Sequence, residues 1–514
     1  MSEIELKFLL DETSSKALLT RLKALKMVAT RRVTLRSVYL DTSEHVLKKA
    51  GIALRIRRDG RRWIQTVKTK GKIHGGLSQV GEVENPAPGG RVRLDAIPDL
   101  SLREVILRHV NGAPLLPVCE TVIKRSTYEV SLEDGTRAEL AIDAGVVRAE
   151  ERSAELHEAE IELLEGDATG LFDIARKLFP EGGLQFSELS KSARGYLLAE
   201  EGRIEPPLAA RNAGTIAVEP DQIAEQAARD ILRDCLGQIA LNFVVVRKLH
   251  DIEGPHQLRI GLRRLRSVFS VYKSALGSPE MARLSDDAKW LGQEVGSLRD
   301  LDVVAHDIVA REAALHPDEP GLSALGEALL RQAGERRDHV RTLLIGARAQ
   351  AFLIDLAQFV ETRGWLVSAD FAQTGRLAVP VIDLAQSGLS KCWKKVSKAA
   401  HGLETLTVEQ RHALRKELKK LRYAVEFFVP LFPSKRLDPF LKRLKRLQTV
   451  FGSLNDAATV RDMFAASELP DVGHPAAQRA IGWVLGASQA RAEFDWSKAR
   501  ALWRDLQETR LFWK

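Results

Sequence analysis

Residues 2–10 read SEIELKFLL, and residues 155–164 read ELHEAEIELL. In both, charged and apolar residues alternate with period two, the pattern of an extended strand with one apolar face. Glu3, Glu5 and Lys7 share one face of the first stretch, and Glu158, Glu160 and Glu162 share one face of the second. Six more stretches have the same alternation or are rich in β-forming residues: 36–41, 52–58, 63–69, 80–84, 122–132 and 138–144. Asp-Gly and Gly-Gly pairs separate several of them, as turns would. Here too the polar partner is often charged: Arg55 with Arg57, Glu82 with Glu84, Glu139 with Asp143.

A single strand of this kind is explained by an antiparallel sheet with its polar face in water. The set as a whole sorts by sign, some strands carrying only acids and others only bases. Closing the sheet with the charged faces inward would place both signs around one lumen, a setting suited to a metal-bound polyanion. The fold class expected is α+β: an N-terminal antiparallel closed β-barrel (a tunnel) with short helices, followed by an all-α helical bundle.

The helical part begins after EGRIEPPLAARNAGTIAVEP at 201–220, which has no period and reads as a linker. The domains expected are therefore 1–200, the linker 201–220 and 221–514. Helical periodicity runs through 223–249, 256–276, 325–345 and 409–428. Within this part HQLRIGLRRLR starts at His256 and HALRKELKKLR at His412; GSLRD starts at Gly296 and GSLND at Gly452. The interval from His to Gly is the same in both copies, so one helical module occurs twice. His256, Arg259, Arg263 and Arg266 fall on one helix face, and His412, Arg415, Lys419 and Arg422 repeat that spacing. Arg264 and Lys420 widen the stripe, and Lys289 and Lys445 form another repeat-related pair. One basic stripe is an ordinary solvated face, but two at identical spacing suit a row of phosphates, which guanidinium groups grip in bidentate fashion. Asp300 and Asp456 are placed to orient the arginines by ion pairing.

Composition agrees with this division. The 514 residues are 45% hydrophobic and 28% charged, enough apolar material for folded cores, and the net charge of +8 points to polyanionic partners. Cys119, Cys235 and Cys392 form neither a disulfide framework nor a CxxC site, which favours a reducing, cytoplasmic compartment. No run of about 18 uncharged apolar residues predicts a membrane span, and residues 1–10 lack the layout of a signal peptide. Nucleic acid is disfavoured as a partner, because Phe269, Tyr272 and Tyr423 are expected in the core rather than interleaved with the basic residues.

Glu3-x-Glu5-x-Lys7, YLDT at 39–42, LRIR at 54–57, TVK ending at Lys68, ELAID at 139–143, EAEIE at 158–162 and SKSARGY at 190–196 together resemble a CYTH domain, the triphosphate tunnel metalloenzymes. That family includes class IV adenylate cyclases, thiamine triphosphatases and inorganic triphosphatases. The repeated HxLR and GSLxD segments resemble a CHAD domain, associated with polyphosphate, and the fused order is similar to bacterial inorganic triphosphatases. The resemblance implies hydrolysis of inorganic triphosphate with Mg²⁺ or Mn²⁺, the metal held by Glu3 and Glu5 with Glu158, Glu160 or Glu162. It implies phosphate contacts from Lys7, Arg55, Arg57, Lys68, Arg125, Lys191 and Arg194, with Asp143 facing the lumen. Glu82 or Glu84 is the candidate general base. The two basic helices, with Lys289 and Lys445, would hold inorganic polyphosphate. One departure stands out: the family usually has an Arg before the acidic pair, whereas this chain has Val80 and Gly81 ahead of Glu82 and Glu84. The alternatives are adenylate cyclase, thiamine or nucleoside triphosphatase activity, or a non-catalytic polyphosphate-binding adaptor.

Overall fold

The computed structural model describes residues 2–69, 71–180, 182–465 and 475–514. The chain divides into two compact units, one of residues 1–208 with 345–364, the other of residues 209–344 with 365–514.

The first unit is built on ten strands: β1 (Ser2–Leu9), β2 (Arg31–Asp41), β3 (Ile52–Asp59), β4 (Arg62–Thr69), β5 (Ile73–His74), β6 (Leu77–Pro86), β7 (Leu116–Ser131), β8 (Arg137–Ala149), β9 (Arg152–Glu165) and β10 (Gln185–Phe186). The sheet runs β10-β1-β9-β8-β7-β2-β3-β4-β6-β5, and β1 also pairs with β6. That extra pairing turns eight strands into a closed antiparallel barrel, as the alternation predicts. Ser2 to Leu6 of β1 pair with β6, while Glu5 to Leu9 pair with β9, so one short strand closes the ring.

Because side chains alternate across a strand, the residues between the charged ones point outward, where they are covered rather than solvated. Leu6 and Phe8 are fully buried. Phe8 stacks with Phe186 at 5.7 Å and packs against Phe179 at 5.5 Å, just past the amphipathic helix Thr169–Leu178. A second apolar cluster, including Leu54, Val67, Ile106 and Val110, lies beneath the helix Leu100–Val110. Around β1, β3 and β4 the barrel is thus apolar outside and charged inside, whereas the outer face of β2 and β7 carries the exposed pair Arg36–Glu120.

Two of the sequence motifs have a structural task. Asp41, fully buried in the YLDT motif, accepts hydrogen bonds from the backbone N–H groups of Leu47 and Lys48, both at 2.9 Å, which caps the turn Val46–Lys49. The same carboxylate accepts the Tyr196 hydroxyl at 2.7 Å. Tyr196 lies on the helix Lys191–Glu201, which Ser190 caps at its start and Gly202, in the left-handed region, ends. Gly195 lets this helix approach β7 closely, since a Cβ there would collide with Cys119 Sγ. Asp41 and Tyr196 therefore fix the helix that brings Lys191 to the barrel.

The helix Ala347–Glu361 belongs to the first unit although its sequence lies inside the helical region, so the expected run 221–514 is interrupted there. Arg176 donates to Asp355 Oδ1 at 2.5 Å and Gln350 accepts the Leu184 N–H at 3.2 Å. Period alone marked residues 325–345 as helical but carried no information about where the next helix docks.

In the second unit, the repeat helices Glu253–Val271 and Val408–Phe427 pack against each other, and each packs on the long helix that follows it, Pro279–Asp302 or Ser434–Ala465. Phe269, Tyr272 and Tyr423 are buried, as expected. Among the described residues no single helix is long and apolar enough to cross a membrane.

Removing residues 209–514 takes away Ala347–Glu361 and with it the partners of Arg176 and Leu184. A fragment of residues 1–208 is expected to melt below the first unit of the full chain and to bind a hydrophobic dye. An unchanged melting temperature would show that the helix adds nothing to the unit.

Candidate active site

The barrel encloses a cavity of about 520 Å³ whose lining includes Glu3, Glu5, Lys7, Arg55, Arg57 and Lys68. Strand register explains their convergence. Residues directly opposed across antiparallel strands project from the same face. Glu5 lies opposite Glu162, Lys7 opposite Glu160, Lys68 opposite Glu82, Arg125 opposite Asp143, and Asp143 opposite Glu158.

One part of the lumen is self-neutralised. Lys7 Nζ lies 2.5 Å from Glu160 Oε1 and 2.8 Å from Glu5 Oε1. Arg125 forms a two-pronged pair with Asp143 at 2.7 and 2.6 Å and reaches Glu160 at 2.5 Å. Lys191 bridges Asp143 at 2.8 Å, Glu160 at 2.9 Å and Glu158. Burial opposes the Glu160 carboxylate, yet Lys191, Lys7 and Arg125 hold its pKa well below the usual range, and Lys191 and Arg125 lower that of Asp143. Burial likewise opposes charge on Lys7, but Glu160 and Glu5 raise its pKa.

Elsewhere the balance fails in both directions. Burial, with Glu3 and Glu5 beside it, pushes the Glu162 carboxyl up to about 7, and Lys68 offsets this only in part. Glu139, opposite Glu162 across the strands, adds to the crowding. Burial and the Arg55 charge bring Arg57 down to about 10. Its hydrogen-bond partner is the neutral Ser37 hydroxyl, at 3.1 Å. Arg55 meets Glu82 at 3.2 Å and Glu84 at 4.0 Å, while its Nε is buried without a partner. The lumen therefore has an acidic part where Glu162 is only partly neutralised and a basic part where Arg57 has no carboxylate partner.

That split bears on where a metal would sit. Oxygens of Asp143, Glu158 and Glu160 converge within 4.8 Å of one another, but Lys7, Arg125 and Lys191 already occupy them. Glu3, Glu5 and Glu162 are the carboxylates whose mutual repulsion a hard cation would relieve. As oxygen donors the three suit a hard divalent ion, which would displace Lys68 from Glu3 and Lys7 from Glu5. Of the five expected metal ligands, the structure thus groups Glu162 with Glu3 and Glu5, and places Glu158 and Glu160 among the lysines and arginines.

Among the expected phosphate ligands, Arg194 lies behind the wall: it is fully buried against Glu158 at 3.3 Å, Glu205 at 2.7 Å and Ser187 at 3.0 Å. Lys68 pairs with Glu3 and, at 3.5 Å, with Glu82. Glu84 accepts from Thr66 at 2.8 Å and is half exposed. Tyr39, Ser37 and Lys48 were not singled out from sequence. Tyr39 lines the lumen and hydrogen-bonds Arg55, its opposite in the strand register. Alternation from Arg55 and Arg57 onto the strand before them could have found Tyr39 and Ser37; Lys48 lies on a turn with no period to read.

The second unit holds its own charged cluster. Arg259 donates to Asp300 at 2.6 Å, the pairing expected from the repeat. Arg263 hydrogen-bonds Tyr423 of the other repeat helix. Arg415 has a buried Nε without a partner; burial and Arg263 bring its pKa down to about 10 despite Asp456. Lys419 makes no ion pair among the described residues, and burial with Arg263, Arg415 and Arg259 pushes it down to about 6. Arg264 does not join this group. It is buried against Asp234 at 2.8 Å and Gln238 at 2.7 Å, because at its position the helix faces its neighbour rather than the shared surface. Its repeat mate Lys420 pairs with Glu417 at 2.6 Å, and Arg422 pairs with Glu426 at 3.2 Å. His256 is half-buried near Arg299, while Arg266, Lys289, His412 and Lys445 are exposed.

A carboxyl whose pKa rises on folding makes the folded state lose stability as pH climbs from the unfolded to the folded value. For Glu162 that window is about 4.5 to about 7. With divalent cations chelated, Glu162→Gln is expected to stabilise the protein by about 1–2 kcal/mol at pH 8 and by little at pH 4, read by denaturant unfolding. Equal effects at both pH values would remove the repulsion at this site.

A CYTH domain family model matches residues 1–196 and a CHAD domain model matches residues 230–465. The inorganic triphosphatase of Haemophilus influenzae is 29% identical over 202 residues, covering 39% of this chain; the match spans 56% of that relative's length. An uncharacterised protein of Mycobacterium tuberculosis is 25% identical over 454 residues, covering 83% of this chain and 80% of that one. Among solved structures, the CHAD domain from Ricinus communis aligns with a TM-score of 0.51 and 28% identity, covering 59% of this chain and 98% of that one. A charged, closed barrel followed by a duplicated basic helical module, each matched by its own family model, makes this chain a CYTH domain joined to a CHAD domain.

Proposed function

We propose that the first unit hydrolyses inorganic triphosphate to pyrophosphate and phosphate with Mg²⁺ or Mn²⁺, and that the second binds inorganic polyphosphate. The observation that carries the first reading is the split lumen, where Glu162 is crowded by Glu3 and Glu5 with only partial relief from Lys68, while Arg57 has a neutral hydroxyl as its partner and Arg55 keeps a buried Nε without one. A short phosphate chain with a hard cation relieves both at once. The family match and the similarity to an inorganic triphosphatase support that substrate. Tyr39 and Tyr196 are both buried, so neither ring offers an open face to a nucleobase.

Glu3, Glu5 and Glu162 would hold the cation, which when bound would neutralise phosphate oxygens and acidify a water molecule. Arg55 and Arg57 bind the chain's oxygens, and Lys7, Arg125 and Lys191 exchange carboxylate partners for phosphate as it enters. Phosphoryl transfer depends mainly on such positioning and charge neutralisation. Glu82, 3.2 Å from Arg55 and 3.5 Å from Lys68, takes the proton of the attacking water. The oxygen–phosphorus bond forms as the bond to the leaving pyrophosphate breaks. Glu84 is the alternative base.

Glu5→Gln is expected to lower metal-dependent phosphate release about 10²-fold or more, the usual effect of losing a charge-stabilising group, with the melting curve kept. Arg57→Ala is expected to raise KM about tenfold or more, the weight of one lost charged contact. Triphosphate should be turned over faster than ATP or thiamine triphosphate. Full activity in Glu5→Gln would end the metal assignment, and faster turnover of ATP or thiamine triphosphate would replace the substrate.

A further inference from the structure

The second unit's cation cluster is assembled from both repeats. Arg259 and Arg263 come from the helix Glu253–Val271, Arg415 and Lys419 from the helix Val408–Phe427. These side chains act on one another across the contact between the two helices. The cluster is not equally compensated. Arg259 has Asp300 at 2.6 Å and Arg263 has the Tyr423 hydroxyl, whereas Lys419 has neither hydrogen bond nor ion pair among the described residues.

We propose that this cluster binds a condensed phosphate chain together with a proton, taken up on Lys419, so that its affinity rises as the medium becomes more acidic. The proposal rests on the reading that the second unit binds polyphosphate, and adds how that binding is regulated.

The charges around Lys419 set the direction. Its own helix contributes Arg415, Arg422 and His412, and the facing repeat helix contributes Arg259, Arg263 and His256. The helix Ser434–Ala465 contributes Asp456, whose carboxyl burial pushes up against the pull of Arg415 and Lys419. Asp300 acts on Arg415 but is bonded to Arg259, and Asp307 opposes ionisation of Asp456. From the helix Val381–Ala399, Lys395 lies with Glu417 and Lys420 around Cys392. Burial, and then cations that outnumber carboxylates around it, push the Lys419 amine down to about 6 when the cluster is empty. An oxyanion reverses that field, and the amine recovers its proton as the chain binds. Interior phosphates of a long chain are strong acids and stay ionised throughout, so the titrating partner is the protein.

The test is calorimetric binding of long-chain inorganic polyphosphate to the full chain at constant ionic strength, divalent cations chelated, in two buffers of different ionisation heat. Wild-type affinity should rise by up to about tenfold per pH unit between about pH 8 and pH 6 and level off below, with about one proton taken up. Lys419→Arg should bind with a flat pH profile, and Lys419→Gln should bind more weakly, also without the slope. A flat wild-type profile with binding intact would overturn the proposal. So would a slope that survives in Lys419→Arg, which would assign it to His256 and His412. Absence of binding at every pH would overturn the polyphosphate reading itself.

Discussion

The first unit depends on β1 pairing on both of its edges. Ser2–Leu6 against β6 and Glu5–Leu9 against β9 close eight strands into a ring. Without that closure the strands' charged faces would meet water, their Coulomb terms would be screened, and a cation and an arginine two strands apart would have no shared ligand. With it, the same side chains face each other across an enclosed lumen. The apolar half of the alternation supplies the means: Leu6 and Phe8 are fully buried on the outer side, under elements that a water-filled sheet face would not need.

Burying so many ions is expensive unless each is paired and hydrogen-bonded. The lumen meets this demand unevenly. Lys7, Arg125 and Lys191 are matched with Asp143, Glu158 and Glu160, and this part holds its shape without a ligand. Glu162 and Arg57 are left out of balance, at a cost to the stability of the empty lumen. The same division recurs in the helical unit, where Arg264 is structural and Lys419 is uncompensated. In each unit a buried base without a carboxylate partner, Arg57 in the first and Lys419 in the second, is a group that an oxyanion would neutralise, whereas Glu162 calls for a cation.

Much of this was legible in the sequence because it follows from period. Alternation and β-rich runs marked the eight barrel strands and many of their charged inward residues, and the fixed interval between His256 and Gly296, repeated from His412 to Gly452, marked the duplicated module. What period does not encode is which inward residue neutralises which. Glu158, Glu160 and Glu162 look equivalent on one strand face, yet only Glu162 lies with Glu3 and Glu5, since register decides the partner. Arg194 reads as a ligand within SKSARGY but sits one helical turn behind Lys191, against Glu158 and Glu205. Arg264 is adjacent to Arg263, and a rotation of one residue takes it from the shared surface to the interior. The helix Ala347–Glu361 has ordinary helical sequence, and its docking on the first unit depends on tertiary partners such as Arg176.

On the proposed reading, the closed lumen holds a divalent cation among Glu3, Glu5 and Glu162 and a phosphate chain on Arg55 and Arg57. A crystal structure with Mn²⁺ and a non-hydrolysable triphosphate analogue, read by anomalous scattering, tests it most directly. The account predicts the manganese peak within ligand distance of those three carboxylates and phosphate density between it and the two arginines. Manganese among Asp143, Glu158 and Glu160, or an analogue bound outside the barrel, would contradict it.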